Sequence, residues 1–193
     1  GNTDVTDISP LYALKGLVSL DISHTKVSDI SSIDKLILLE SLDISNTEIE
    51  NLSVIKKLEN LNTLKMNSIK NLDVFTITLP NELETLECNS NGLNSLEFIS
   101  GTKSILNLHA SNNNITDLTP IKQYQLATID LSHNKISDLS GIRVDYISTL
   151  NLSYNDISDI SPLNGMKANN VELNNNRISD ISIFKENTKL HSL

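Results

Sequence analysis

The chain has 193 residues, a formal net charge of -9 and only 4% aromatic residues, with no Trp. A polyanion grip needs a basic stripe that displaces counterions, so nucleic acid is not expected as a partner. No apolar run approaches the roughly 20 residues that span a bilayer, so no membrane insertion by this segment is expected, and the lone Cys88 excludes an internal disulfide framework.

In chain order, Thr3 and Asp7-Ile-Ser-Pro10 come first, as the tail of an incomplete motif. An apolar, any, apolar triplet then starts at Leu20, Leu42, Leu64, Leu86, Leu108, Ile129, Leu150 and Val171. The steps are 22 residues up to Leu108 and 21 thereafter. Three residues before each triplet stands a second apolar ladder: Leu17, Leu39, Leu61, Leu83, Ile105, Leu126, Ile147 and Ala168. A fixed period of this length is the mark of a solenoid, in which no unit can bury its apolar face alone and stacked units share one continuous core.

Within a strand, alternate side chains face opposite ways. Leu20 and Ile22 therefore point inward while Ser19, Asp21 and Ser23 point outward, and each repeat contributes one short strand to a parallel sheet. Five residues after each strand start come Thr25, Thr47, Ile69, Asn91, Asn113, Asn134, Asn155 and Asn176, where the chain must bend inward. A buried bend leaves backbone N–H and C=O groups unpaired, and a side-chain amide can serve both kinds. Asn91, Asn113, Asn134, Asn155 and Asn176 are thus read as a structural ladder. Thr25 and Thr47 keep a hydroxyl, Ile69 cannot hydrogen-bond, and the repeat from Leu64 to Pro80 is irregular.

The return segments read Ser28-Asp-Ile-Ser31, Thr116-Asp-Leu-Thr-Pro120 and Ser158-Asp-Ile-Ser-Pro162. Ser or Thr before Pro is the signature of a cap followed by the first helical residue, so short helical turns are expected at Pro10, Pro120 and Pro162. About ten residues remain per repeat, which suits 3₁₀ or single-turn α segments. Asp29, Asp117, Asp138, Asp159 and Asp180 recur at one position and are expected to cap these turns. The expected class is α/β: a leucine-rich-repeat solenoid with a curved parallel sheet on the concave side and 3₁₀/α turns on the convex side. One domain should cover 1–193, with about eight complete repeats plus partial end repeats, as a segment of a longer protein.

Leu150-Asn-Leu-Ser-Tyr-Asn155-Asp-Ile-Ser-Asp-Ile-Ser-Pro-Leu163 and Ile129-Asp-Leu-Ser-His-Asn134-Lys-Ile-Ser-Asp-Leu139 resemble the leucine-rich repeats of internalin-type bacterial surface proteins. The same short repeat class occurs in a regulatory subunit of the type-one protein phosphatase. The internalin resemblance implies a protein partner and a secreted or cell-surface location. The phosphatase resemblance implies a cytoplasmic regulatory scaffold as the alternative. Internalins commonly carry aromatic residues on the concave face to grip a receptor. Here the outward positions are polar, so a partner is expected to be held by many modest contacts or by an edge.

The outward row Lys65, Glu87, His109, Asp130, Asn151 and Glu172 is the candidate binding face. A His between two carboxylates, as in Glu87, His109 and Asp130, can be a metal ligand or general base. No nucleophile or Gly-rich anion loop accompanies it, so the row is read as a solvated face with an ion-paired His, a metal-dependent enzyme at Glu87, His109 and Asp130 being the distant alternative. No catalytic residue, metal site or cofactor is assigned. On the strand-exit edge, Tyr154 beside Arg177 is the candidate contact pair, since Tyr and Arg are enriched among interface hot spots. Cys88 takes an inward strand position as an inert core residue.

Overall fold

A triplet with two apolar ends can bury both only when extended. Each triplet start does lie in a strand of the computed structural model, which describes residues 1–143 and 145–193. The chain forms two units, one of residues 1–91 with 101–105 and the other of residues 92–100 with 106–193. In the first unit β1 (Ser19–Asp21), β2 (Ser41–Asp43), β3 (Thr63–Lys65) and β4 (Thr85–Glu87) run parallel, with Leu20, Leu42, Leu64 and Leu86 in register. In the second, β5 (Asn107–His109), β6 (Thr128–Asp130), β7 (Tyr146–Asn151) and β8 (Lys167–Glu172) do the same, with Leu108, Ile129, Leu150 and Val171 in register. This is the leucine-rich-repeat arrangement, one parallel rung per turn of chain.

The inward side chains form the core of each unit. Leu42, Ile44, Leu64, Met66, Leu86 and Cys88 are fully buried in the first, and Leu108, Ile129, Leu131, Leu150, Leu152 and Val171 in the second. Each such Leu or Ile contributes about 1.5–3 kcal/mol relative to exposure. The upstream apolar ladder closes the same core from below, with Leu39, Leu61 and Leu83 in the first unit and Ile147 and Ala168 in the second all buried. Apolar side chains in the outermost turns are less covered: Val5 is exposed near the start, and Ile181 and Leu193 near the end.

The return segments are 3₁₀ turns of three to five residues, at Ser9–Ala13, Ser31–Lys35, Ile55–Lys57, Val74–Thr76, Glu97–Ile99, Thr119–Ile121, Ser161–Leu163 and Ser182–Glu186. Among the described residues none lengthens into an α-helix, because the repeat leaves too little chain for successive i→i−4 bonds. The expected Ser or Thr caps are corrected in one respect. Ser9, Thr119 and Ser161 are already helical, and the preceding Ile8, Leu118 and Ile160 make no side-chain cap. The capping oxygen comes from one residue earlier still. Oδ1 of Asp7 accepts from Ser9 N–H at 2.7 Å, and Asp29, Asp117, Asp138, Asp159 and Asp180 each accept at 2.8 Å from the N–H two residues on. Each carboxylate thereby serves an N–H that the short turn leaves orphaned.

The bends between strand and return segment carry the amide ladder. Asn134 Oδ1 accepts from Ile115 N–H of the preceding turn at 2.9 Å, and its Nδ2 donates to Ala110 O of that turn and to Leu131 O of its own, both at 3.0 Å. Asn155 and Asn176 repeat the pattern with Ile136 and Ile157 N–H at 2.9 and 3.1 Å, and Asn113 accepts from Leu93 N–H at 3.0 Å. The threonines do less. Thr25 and Thr47 each donate at 2.7 Å to a carbonyl of their own turn, Ile22 O and Ile44 O. Where Ile69 interrupts the ladder the bonding slips: Asn91 Oδ1 takes Ile69 N–H itself at 2.8 Å, two residues short of the position used elsewhere. The next return segment is displaced to match, with Asp73 N–H on Glu50 O at 3.3 Å and Phe75 left 96% exposed.

Candidate functional site

The outward strand positions of the first unit present Asp21, Asp43, Lys65 and Glu87 in one row, and strand register sets their order. Lys65 Nζ lies 2.9 Å from Glu87 Oε1, and the other carboxylate oxygen accepts from Asn67 Nδ2 at 3.2 Å. The hydrogen bond to Glu87 holds the Lys65 ammonium above its usual pKa, with the charges of Glu87 and Asp43 adding to the effect against partial burial. Polar bonding continues sideways: Asn89 Nδ2 donates to Asn67 Oδ1 at 2.9 Å, and Asn67 N–H to Ser45 Oγ at 3.1 Å. At the end of the row Asp21 Oδ1 accepts from Ser23 Oγ at 2.6 Å and Ser23 N–H at 2.8 Å. Those bonds, the hydroxyl first, depress the Asp21 carboxyl.

In the second unit the row is His109, Asp130, Asn151 and Glu172, again in strand register. Asp130 does not turn to the imidazole beside it. Its Oδ1 accepts from Ser132 Oγ at 2.7 Å and from Ser132 N–H at 3.0 Å, and Asn151 Oδ1 holds Ser153 in the same way at 2.6 and 3.0 Å. The expected ion-paired His is therefore corrected: no ion pair joins His109 to Asp130. A local bond to the Ser two residues on wins over a cross-strand one. Among the described residues no group of three or more His, Cys, Asp or Glu is placed to hold a metal ion.

In four turns the third outward position is more enclosed than alternation alone implies. Ser45, Ser111, Ser132 and Ser153 are all buried. They sit where the backbone begins its bend; Asn67 and Asn89 hold the same position in other turns, only part-buried, and bond across to neighbouring turns.

On the strand-exit edge, the residue before each ladder position adopts the left-handed conformation. The series is Asn2, His24, Asn46, Ser68, Ser90, Asn112, His133, Tyr154 and Asn175, with φ between 53° and 59°. Asn tolerates this region, whereas for a bulky side chain it costs of order 1 kcal/mol or more. Two aromatic rings nevertheless occupy it on consecutive turns. His133 and Tyr154 stack with ring centroids 4.1 Å apart and 11° between planes, and Tyr154 stays 47% exposed. Arg177 Nη2 lies 2.6 Å from Asp156 Oδ1. Each member of the candidate contact pair thus has a neighbour of its own, His133 against Tyr154 and Asp156 against Arg177. The equal repeat position of His133 and Tyr154, 21 residues apart, was the signal for the stack.

No helix among the described residues is long and apolar enough to cross a membrane. Cys88 is buried, and desolvation pushes its thiol up to about 12, so it contributes no nucleophile.

No family model and no curated protein matches the chain by sequence. Among solved structures it is similar to an internalin, InlF of Listeria monocytogenes, at 27% identity and a TM-score of 0.82. That match covers 98% of this chain and 57% of the internalin, so the chain spans little more than half of that protein's length. A plant peptide hormone receptor, RGFR1, solved in complex with RGF2, has the same fold at 19% identity and a TM-score of 0.71, over 100% of this chain and 34% of the receptor. TLR13, solved in complex with an RNA, ssRNA13, matches at 21% identity and a TM-score of 0.65, over 96% of this chain and 30% of its own. The chain is a leucine-rich-repeat solenoid resembling the internalins. Since the fold also occurs in an RNA complex, only this chain's own acidic charge argues against nucleic acid.

Proposed function

We propose that this chain is a protein-interaction module of a secreted or surface-displayed bacterial protein, and that it binds through the outward strand row and the strand-exit edge. The observation that carries this reading is the pre-set bonding of the row. Lys65, Glu87, Asn67 and Asn89 in one unit, and Asp130 and Asn151 in the other, are already bonded to neighbours. A partner would therefore meet side chains whose ordering cost is largely spent before contact. The likeness to an internalin supports the location, and the peptide receptor supports a protein ligand as something this fold can hold. Catalysis has no support from the row, because the carboxylates of Asp130 and Glu87 are committed to Ser132 and to Lys65 with Asn67.

Immobilised wild-type chain and a K65A/H109A/D130A variant, each checked for an unchanged melt, are exposed to the same host-cell surface extract and the retained proteins identified. A protein held by the wild type and lost on the variant is the expected outcome. Equal retention by both removes the strand row from the site. No retention above a blank support refutes the binding module.

A further inference from the structure

We propose that the His133–Tyr154 stack anchors a partner site on the strand-exit edge, and that its partner is a protein loop presenting a carboxylate beside an apolar side chain. This rests on the reading of the chain as a protein-binding module. Every other described turn places Asn, Ser or His at the left-handed position. Tyr is the one bulky occupant, and burial does not compensate it, because nearly half the residue remains in water. Violations of local preference without a packing return gather at functional positions. The stack also fixes the ring. With His133 lying flat against it at 4.1 Å, Tyr154 has little rotamer freedom left to lose on contact.

The chemistry of the edge selects the partner. No hydrogen bond within the described residues occupies Tyr154 Oη or Lys135 Nζ, and Arg177 gives only Nη2 to Asp156. Phenol O–H, imidazole N–H, ammonium and the remaining guanidinium N–H groups are all donors, so a surface that complements them supplies acceptors. On the return segments Asp138 and Asp159 accept from the N–H groups of Ser140 and Ser161, and neither bonds Tyr154, Lys135 or Arg177. At this end of the exit row Lys135 and Arg177 stand on the turns either side of Asp156, on a chain of net charge -9. A carboxylate meets the donors while an apolar side chain covers the free part of the Tyr154 ring.

The test is selection of a random linear peptide library displayed on phage, run in parallel on the wild-type chain and on Tyr154→Asn. Asn is at home in the left-handed conformation, so this variant should melt at or above the wild-type temperature, which separates lost binding from lost fold. Peptides enriched on the wild type should carry Asp or Glu next to an apolar residue. Synthetic copies should bind Tyr154→Asn about tenfold or more weakly, bind Arg177→Gln more weakly, and lose affinity as salt rises. The proposal is overturned by peptides that bind wild type and Tyr154→Asn equally, by enrichment of basic peptides, or by no enrichment over the variant. Peptides indifferent to Tyr154→Asn but lost on the K65A/H109A/D130A variant would sink the anchor and leave the binding module standing.

Discussion

Replacing Asn134 with Ala removes one acceptor and two well-placed donors from the space between consecutive turns. Ile115 N–H loses its partner at 2.9 Å, while Ala110 O and Leu131 O each lose one donor at 3.0 Å and keep another, Asn113 Nδ2 and Asn155 Nδ2, at 3.0 Å. The buried N–H left unpaired costs about 1–3 kcal/mol, and each bond lost from a carbonyl that keeps a second donor costs about 0.5–1.5 kcal/mol. Asn134 as a whole is 8% exposed, so water reaches part of the gap and recovers some of that cost. The sum we expect is about 3 kcal/mol, with a smaller loss of packing. Because the amide joins one turn to the next, the damage falls on the coupling between repeats, and the unfolding transition should broaden as well as shift. Urea unfolding followed by circular dichroism gives the stability change, with the exposed Asn94→Ala as control. Hydrogen exchange at the Ile115 amide gives the local readout and should accelerate in Asn134→Ala. Losses for the two variants within about 0.5 kcal/mol of each other, with unchanged protection of Ile115, would refute the ladder as a stabilising element.

Leu131→Ala is expected to cost about 2–5 kcal/mol by opening a cavity beneath β6, while Ser132→Ala should cost about 1 kcal/mol for the lost bond to Asp130; chemical denaturation of both distinguishes them, and equal losses contradict the strand register. The turn carboxylates predict an acid limit. Asp7, Asp159 and Asp180 are depressed chiefly by the backbone N–H they accept from, and Asp117 chiefly by the Thr119 hydroxyl. A depressed carboxyl adds stability above its unfolded pKa, near 4, and this contribution disappears as pH falls through the lower folded value. Melting temperature should therefore drop below about pH 4, and replacing these four Asp by Asn, which still accepts but does not titrate, should flatten that drop. With its thiol pushed up to about 12 and fully buried, Cys88 should resist a thiol reagent at pH 8 in the native chain and react fully in urea; prompt native labelling contradicts its core placement.

The period alone was enough to place the inward and outward side chains. Leu20, Leu42, Leu64 and Leu86 could be set in register because side-chain direction alternates strictly along a strand and a repeat of fixed length returns it to the same face. The amide ladder was legible for the same reason: a buried bend that recurs needs the same donor and acceptor each time. What the period could not say was which of several polar groups within reach would pair. Asp130 turns to Ser132 and not to His109, Arg177 takes Asp156, and Tyr154 lies on His133. These choices depend on offsets of an ångström or two between neighbouring turns and on the rotamers the left-handed bend allows. Nor could it show the slip at Asn91, which follows from the missing amide at Ile69, or the burial of Ser132 where the strand starts to bend. Composition and repeat spacing determine the frame, because apolar burial is summed over many residues. The candidate contact surface was decided only in three dimensions, because it depends on a few polar bonds of nearly equal strength competing over short distances.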